Sequence, residues 1–494
     1  MRTRALNESR LVEVEALLAA GADAVGLAFE RAQLLDALGN TEDARRAYLD
    51  VLTNDSAHAG ALNELGRLLD RTGFHTAARM VYRRVVDTHP DDPTGHGNLA
   101  TSFLDGGETE AARRHYEIAL RLDPDNVPAH QCLAILLLRL GDEEAAARHG
   151  RIGFCHGASA WPYRGTALPI PVLVVHSALG GNIPIDRFID EHTFAKSTIV
   201  AEFYDPALPL PPHALVVNAI GDASRCRIAL RAASTLFAGT TAPILNAPAC
   251  VAATTRQANA CTLAGLAGVV APLTVALERS RLSGPTAVAA LNEAGFDWPV
   301  IVRAPGFHTG QHCVLVERPE HLTRAVAELP GDELLVIQFV DVRGSDANVR
   351  KYRVMIVDGA VLPLHLAISR RWMVHYFSAD MAERSDHQQE EAAFLDDMHT
   401  ALGPDAVGVL RAIARRLGLD YGGIDFGIDK QRRVVVFEAN ATMIVPPSLA
   451  ELLPHRRASI QRIEEAVRTM LLTKGRNTGT KRADIVVIER AESL

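Results

Sequence analysis

At 494 residues the chain is too long for one hydrophobic core, and three or four domains are expected. Hydrophobic residues make up 48% of it, charged residues 22%, and the net charge is −8, a balance that argues against a general nucleic-acid or lipid-surface binder. Six scattered cysteines form no CxxC pair and have no His partner at metal spacing, so reduced, mostly buried thiols are expected. Met1-Arg2-Thr3-Arg4 leads into an acidic helix rather than an apolar segment, and no uncharged run reaches spanning length, so a cytoplasmic location is expected.

The first third is periodic. Gly39, Gly73, Gly107 and Gly141 recur every 34 residues, and the same interval relates Ala44, Ala78, Ala112 and Ala146. Tyr48, Tyr82 and Tyr116 keep this register, as do Leu65, Leu99 and Leu133, and Pro90 with Pro124. Alanine lets paired helices approach, tyrosine fills the space between them, and Gly or Asp-Pro ends each helix. A helix over 5–20 and four helical hairpins at 23–56, 57–90, 91–124 and 125–158 are therefore expected, and their period resembles that of tetratricopeptide repeats. Such an array implies a concave groove for a peptide or protein partner, or a face that packs on the same chain or on a second copy in a homodimer. His75, His96, His115, His130 and His149 lack metal-ligand spacing and are expected at the surface.

A linker at 161–171 opens the next region. Short apolar strands over 170–175, 197–204, 213–218 and 243–246, with a helix over 225–237, predict an α/β domain at 159–280. Gly180-Gly181-Asn182 and Ala219-Ile220-Gly221-Asp222 follow its strands, where open parallel sheets bind ligands, or they are simply tight turns. No GxGxxG is present, so a dinucleotide site is unsupported. A compact unit at 281–341 follows, with helices over 285–294 and 321–328 and strands over 298–303, 313–317 and 334–340. Its loop at 304–312 contains Gly306, His308 and Gly310; it either folds over phosphates, with backbone N–H groups as donors, or is a plain hairpin. His308 is a candidate to assist phosphate transfer.

The last segment, 342–494, begins with a strand over 351–357, an Asp358-Gly359 turn and a return strand over 362–369. His365, Arg370, Arg371, Trp372 and His375 either line an acceptor-substrate pocket or pack in the ordinary way. Helices are expected over 386–399, 404–417 and 447–472, with a solvated basic tail at 474–482. Between the last two helices lie the apolar strands 421–426 and 434–440. A two-residue turn at Gln431-Arg432 would set Asp425 directly opposite Glu438, with Glu438 and Asn440 on one face. Two carboxylates and an amide carbonyl make the hard-oxygen environment that Mg²⁺ prefers when it also holds nucleotide phosphates.

Residues 168–472 resemble the ATP-grasp ligases of the glutathione-synthetase-like kind. The resemblance rests on Asp425…Glu438-Ala439-Asn440, on Lys351-Tyr352-Arg353, and on Asn246-Ala247-Pro248 leading to Arg256. It implies a multidomain chain, an all-α repeat solenoid followed by an α/β (α+β) ATP-grasp fold with three subdomains at 159–280, 281–341 and 342–494. ATP would be clamped between the small central unit and the C-terminal sheet, with Gln338 and the backbone of Val340 at the adenine and Mg²⁺ on Asp425, Glu438 and Asn440. Such enzymes usually grip phosphates with lysines; here the corresponding residues are Arg256 and Arg303, which stay charged and bind phosphate oxygens bidentately. The implied reaction is attack of a substrate carboxylate on the γ-phosphate, then displacement of phosphate from the acyl phosphate by an amine. Arg353, or Lys351 on the same strand face, is the candidate to hold the reacting carboxylate. Stopping after phosphate transfer would make the protein a kinase; no chemistry at all would leave a nucleotide-gated adaptor.

Overall fold

The computed structural model describes residues 2–21, 24–154, 158–307, 310–374, 379, 381, 383–445 and 453–476. The chain divides into two compact units, Met1–Gly157 and Ala158–Leu494. In the first unit the helix Arg2–Ala19 precedes four helical pairs. They are Ala24–Ala37 with Thr41–Asn54, Ala59–Arg71 with His75–Thr88, Pro93–Asp105 with Thr109–Leu122, and Val127–Arg139 with Glu143–Gly153. Each pair falls inside one of the expected 34-residue units. The turn glycines 39, 73, 107 and 141 have φ between +78° and +86°, the left-handed region that a side chain disfavours. Ala44, Ala78, Ala112 and Ala146 are fully buried, and Tyr48, Tyr82 and Tyr116 fill the interior beside them.

The histidines of the third and fourth repeats correct the sequence reading. His96 and His130 are buried, and their Nδ1 atoms lie 3.0 and 2.8 Å from Nδ1 of His115 and His149. Nε2 of His96 and of His130 reaches the Pro90 and Pro124 carbonyls. These rings face across the helix pair of a single repeat, a burial that ligand spacing does not report. His75 does lie at the surface, against Asp70.

The second unit opens with β1 (Ser159–Ala160), β2 (Ile170–His176), β3 (Phe194–Val200), β4 (Leu215–Asn218) and β5 (Ile244–Leu245). They lie in the order β1-β3-β2-β4-β5, parallel except for the edge strand β1. Residues 172–175 and all of β4 are buried, as befits a parallel sheet covered on both faces. β6 (Val269–Val270) and β7 (Thr274–Glu278) then leave this sheet for two others. β7 edges a four-stranded antiparallel sheet with β8 (Val300–Arg303), β9 (Cys313–Val316) and β10 (Glu333–Gln338), in the order β7-β10-β8-β9. β11 (Val349–Val357), β12 (Ala360–Ser369), β13 (Tyr421–Ile428) and β14 (Val434–Asn440) form the third sheet, β12-β11-β13-β14-β6. Which sheet β6 and β7 join is a long-range choice that their local pattern does not carry.

The first and third sheets share one apolar core. Asn246 staples them: its Oδ1 accepts from the Asp420 and Tyr421 N–H groups at 2.9 Å, and its Nδ2 donates to the Tyr421 carbonyl at 2.7 Å. Asn246-Ala247-Pro248 is thus a joint between sheets. The helix expected over 386–399 breaks at Asp397, whose carboxylate caps a new helix through the His399 and Thr400 N–H groups. The terminal helix is Arg457–Arg476 and residues 446–452 lie outside the described set, as does the tail beyond 476. Lys474, expected in a solvated tail, is helical and pairs with Asp420 at 2.7 Å and Asp358 at 3.0 Å. Of the described cysteines Cys226 alone is buried; Cys132, Cys250 and Cys313 are partly exposed and Cys261 is exposed, so burial is less general than expected.

Candidate functional site

Four side chains form a row across four adjacent strands. His365 on β12 pairs with Arg353 on β11, Arg353 with Asp425 on β13, and Asp425 with Glu438 on β14. Directly opposed residues of antiparallel strands share a face, about 5 Å apart at Cβ. The expected pairing of Asp425 with Glu438 is present, but by another route. The connection is longer than two residues: Ile428 pairs with Val434, the Asp429 N–H donates to the Arg433 carbonyl at 3.1 Å, and Arg432 takes φ +64°. That register alone would set Asp425 opposite Phe437. A bulge at Phe437, where Phe426 pairs with Val436, absorbs one residue and restores the match.

Asp425 is wholly buried and held by two cations. Arg353 donates Nε to Oδ1 at 2.5 Å and Nη2 to Oδ2 at 2.7 Å, while Lys351 Nζ lies 2.7 Å from Oδ2. Burial pushes this carboxyl up, but Arg353 and Lys351 more than offset it and hold it far below the usual carboxylate range. Glu438 receives Arg256 Nη2 at 2.8 Å and Asn440 Nδ2 at 2.9 Å. Burial raises its carboxyl as well, and Arg256 brings it below its ordinary value. Arg256 also donates to the Phe437 carbonyl at 3.1 Å, so it braces β14 as well as facing the cleft. Arg303, 8% exposed, donates Nη2 to the Phe307 carbonyl, and its Nε has no partner among the described residues; burial and nearby Arg256 lower its pKa. Four cations therefore face two carboxylates, a surplus of two positive charges.

The row borders a cleft that is open at its mouth. Arg256, Arg303, Lys351, Asp341, Asp425 and Glu438 line its charged part, Asp341 being paired with Arg343 at 2.8 Å, and Ile301, Ile337, Phe339, Val340 and Trp372 line its apolar part. Trp372 packs edge-on against Phe339, with centroids 6.2 Å apart. Gly310 lines the cleft with φ +76°, and Gly306, φ +79°, lies in the same loop. His308 and His375 lie outside the described residues, and Arg370 and Arg371 are exposed.

The metal expectation meets a specific constraint. Asn440 Oδ1 accepts from the Thr442 N–H at 3.0 Å and hydroxyl at 2.9 Å, while both carboxylates are paired with cations. Among the described residues no three His, Cys, Asp or Glu gather into a metal-binding group. A bare divalent ion fits poorly beside a surplus of positive charge; the same ion carried by a polyphosphate, which would draw the cations to itself, fits the charge balance. One buried polar residue of the lining joins those the sequence singled out. Asn259, one helical turn beyond Arg256, is buried with its Oδ1 unpartnered among the described residues, while its Nδ2 donates to the Thr254 and Ala439 carbonyls. Its i+3 spacing from Arg256 is the signal that could have found it.

The tetratricopeptide repeat family profile matches residues 29–93 and 98–152. Solved structures similar to the chain include MamA residues 41 to the end from Desulfovibrio magneticus RS-1, at 22% identity over 29% of this chain and 81% of that one, TM-score 0.26. YrrB, described as a tetratricopeptide repeat protein with an unusual peptide-binding site, matches at 18% identity over 28% of this chain and 71% of its own, TM-score 0.25. Pseudomonas aeruginosa pilF matches at 19% identity, over 31% and 69%, TM-score 0.28. No curated protein matches the chain. Among the described residues no helix is long and apolar enough to cross a membrane.

Proposed function

We propose that the second unit is an ATP-dependent carboxylate–amine ligase of the ATP-grasp type, and that the repeats hold a peptide or protein partner. One observation carries the enzymatic reading: Arg353, Lys351, Arg256 and Arg303 gather around the Asp425 and Glu438 carboxylates, two cations more than those carboxylates balance, beside a cleft that is otherwise largely apolar. An apolar pocket suits a base and a cationic end suits a triphosphate. Asp425 and Glu438 would hold Mg²⁺ bound to the nucleotide, with Asn440 steadying Glu438 through its Nδ2, and the ion would neutralise charge developing on the transferred phosphate. Arg303 Nε, unpartnered among the described residues, is a donor for a phosphate oxygen. Arg353, beside Asp425 at the edge of the cleft, would orient the substrate carboxylate. The carboxylate oxygen attacks the γ-phosphorus and ADP leaves; an amine then attacks the acyl carbon, phosphate leaves, and the amine proton goes to solvent. No side-chain nucleophile is required.

The test is turnover of Mg·ATP against pooled amino acids, small peptides and other carboxylates, scoring ADP, phosphate and adduct mass, with Glu438→Gln beside the native chain. Release of ADP and phosphate with an adduct one water lighter than its parts, abolished in the variant, is the expected result. An adduct heavier by one phosphate would make the protein a kinase. Absence of nucleotide binding would overturn the reading and leave the repeat array as the functional part.

A further inference from the structure

The Gln338 side chain, expected to meet adenine, is instead fully engaged with protein. Its Oε1 accepts the Asp297 N–H at 2.9 Å, and its Nε2 donates to the carbonyls of Asp297 at 2.9 Å, Phe339 at 3.2 Å and Pro299 at 3.4 Å. Its main-chain N–H donates to the Leu273 carbonyl at 2.8 Å. Both ends of the carboxamide are therefore occupied. Gln338 ends β10, and immediately beyond it Phe339, Val340, Asp341 and Val342 run along the cleft outside any strand. Among the described residues the N–H and carbonyl of Val340 have no backbone partner. Gln338 also sits directly opposite Val300, where β8 begins, and β8 ends at Arg303 about 10 Å further on.

We infer that Gln338 is the positioning residue of the base pocket. It knots the segment entering β8 to the main chain of Phe339 and Val340. That sets the distance between the backbone groups that read an adenine edge and the arginine that meets the phosphates. This rests on the nucleotide reading above. A base read by main chain is selected only as well as that chain is held, so the carboxamide controls preference for adenine without touching it.

The substitutions separate positioning from bulk. Gln338→Glu keeps an acceptor for the Asp297 N–H but sets a carboxylate oxygen against the three carbonyls that Nε2 now serves. Protonation of that carboxyl returns one donor. Gln338→Met keeps the volume and removes both functions. Equilibrium binding of ATP and GTP is measured on the full chain at pH 8 and pH 6, with thermal stability alongside. The expected result is ATP binding at least ten-fold weaker in Gln338→Glu at pH 8, recovering at pH 6. Gln338→Met stays weak at both, and its preference for ATP over GTP narrows. Native-like binding in both variants would overturn the inference, as would equal weakening without pH recovery accompanied by lower thermal stability. A native chain that binds no ATP would overturn the nucleotide reading and the inference together; a native chain that binds ATP while the variants bind equally well would overturn the inference alone.

Discussion

Replacing Arg353 with methionine leaves the Asp425 carboxylate, 1% exposed, with Lys351 as its remaining cation at 2.7 Å. Removing one partner of a buried ion pair costs about 3–5 kcal/mol, because the other charge stays out of water. Lys351 limits the loss, so Arg353→Met should cost about 3 kcal/mol. The reverse change, Asp425→Asn, leaves Arg353 and Lys351 with side chains 24% and 16% exposed, which can turn to water, and keeps one acceptor oxygen. It should cost about 1–2 kcal/mol. The asymmetry is the prediction. All three tryptophans, Trp161, Trp298 and Trp372, fall in the second unit, so tryptophan fluorescence during urea unfolding reports that unit without contribution from the repeats. The depressed Asp425 pKa also sets a sign. Its stabilisation is present in full above the unfolded carboxylate value of about 3.9 and is lost as pH falls below it toward the lower folded value. In Arg353→Met the folded value rises, so that loss should be smaller and should end at a higher pH. Equal costs for the two variants, or a greater cost for Asp425→Asn, would refute the account of the buried carboxylate as the group that most needs its partners.

Arg303 is buried with an unpartnered Nε and no ion pair among the described residues, so Arg303→Met should raise the stability of the second unit by about 1 kcal/mol while weakening ATP binding. A destabilised variant in the same fluorescence titration would contradict this. In the repeats, Gly73→Ala and Gly97→Ala should have opposite effects. An added methyl group meets open space at both sites, but Gly73 has φ +86° and Gly97 is helical. The first should cost about 1 kcal/mol and the second gain about as much, read as opposite shifts in thermal melting followed by circular dichroism. Burial lowers the pKa of His115 and His149, each facing a second histidine, so both are kept neutral in the fold. Their contribution is present above the unfolded value of about 6.5 and is lost as pH falls through the lower folded values. Helical melting of the repeats should therefore shift to lower temperature between pH 7.5 and pH 5.5, and an unmoved transition would count against these pairs.

The repeat register is legible in the sequence because each position answers to a local requirement repeated four times: a left-handed turn at Gly39 and its equivalents, a zero-clearance contact at Ala44 and its equivalents. Such requirements act between residues close in the chain, and a fixed period makes them visible. The pairing of Asp425 with Glu438 is also legible from alternation along two short strands, although the turn is not: the longer connection and the Phe437 bulge cancel, and alternation sees only their result. Tertiary structure decided the rest. The entry of β6 and β7 into other sheets, the closing of Gln338 onto Asp297, and the pairing of Arg256 with Glu438 join residues far apart in sequence. A local pattern states what a residue offers, an apolar face or a charge. Which partner takes the offer depends on the packing of elements as distant in the chain as those carrying Arg256 and Glu438, and only the folded chain brings those offers together.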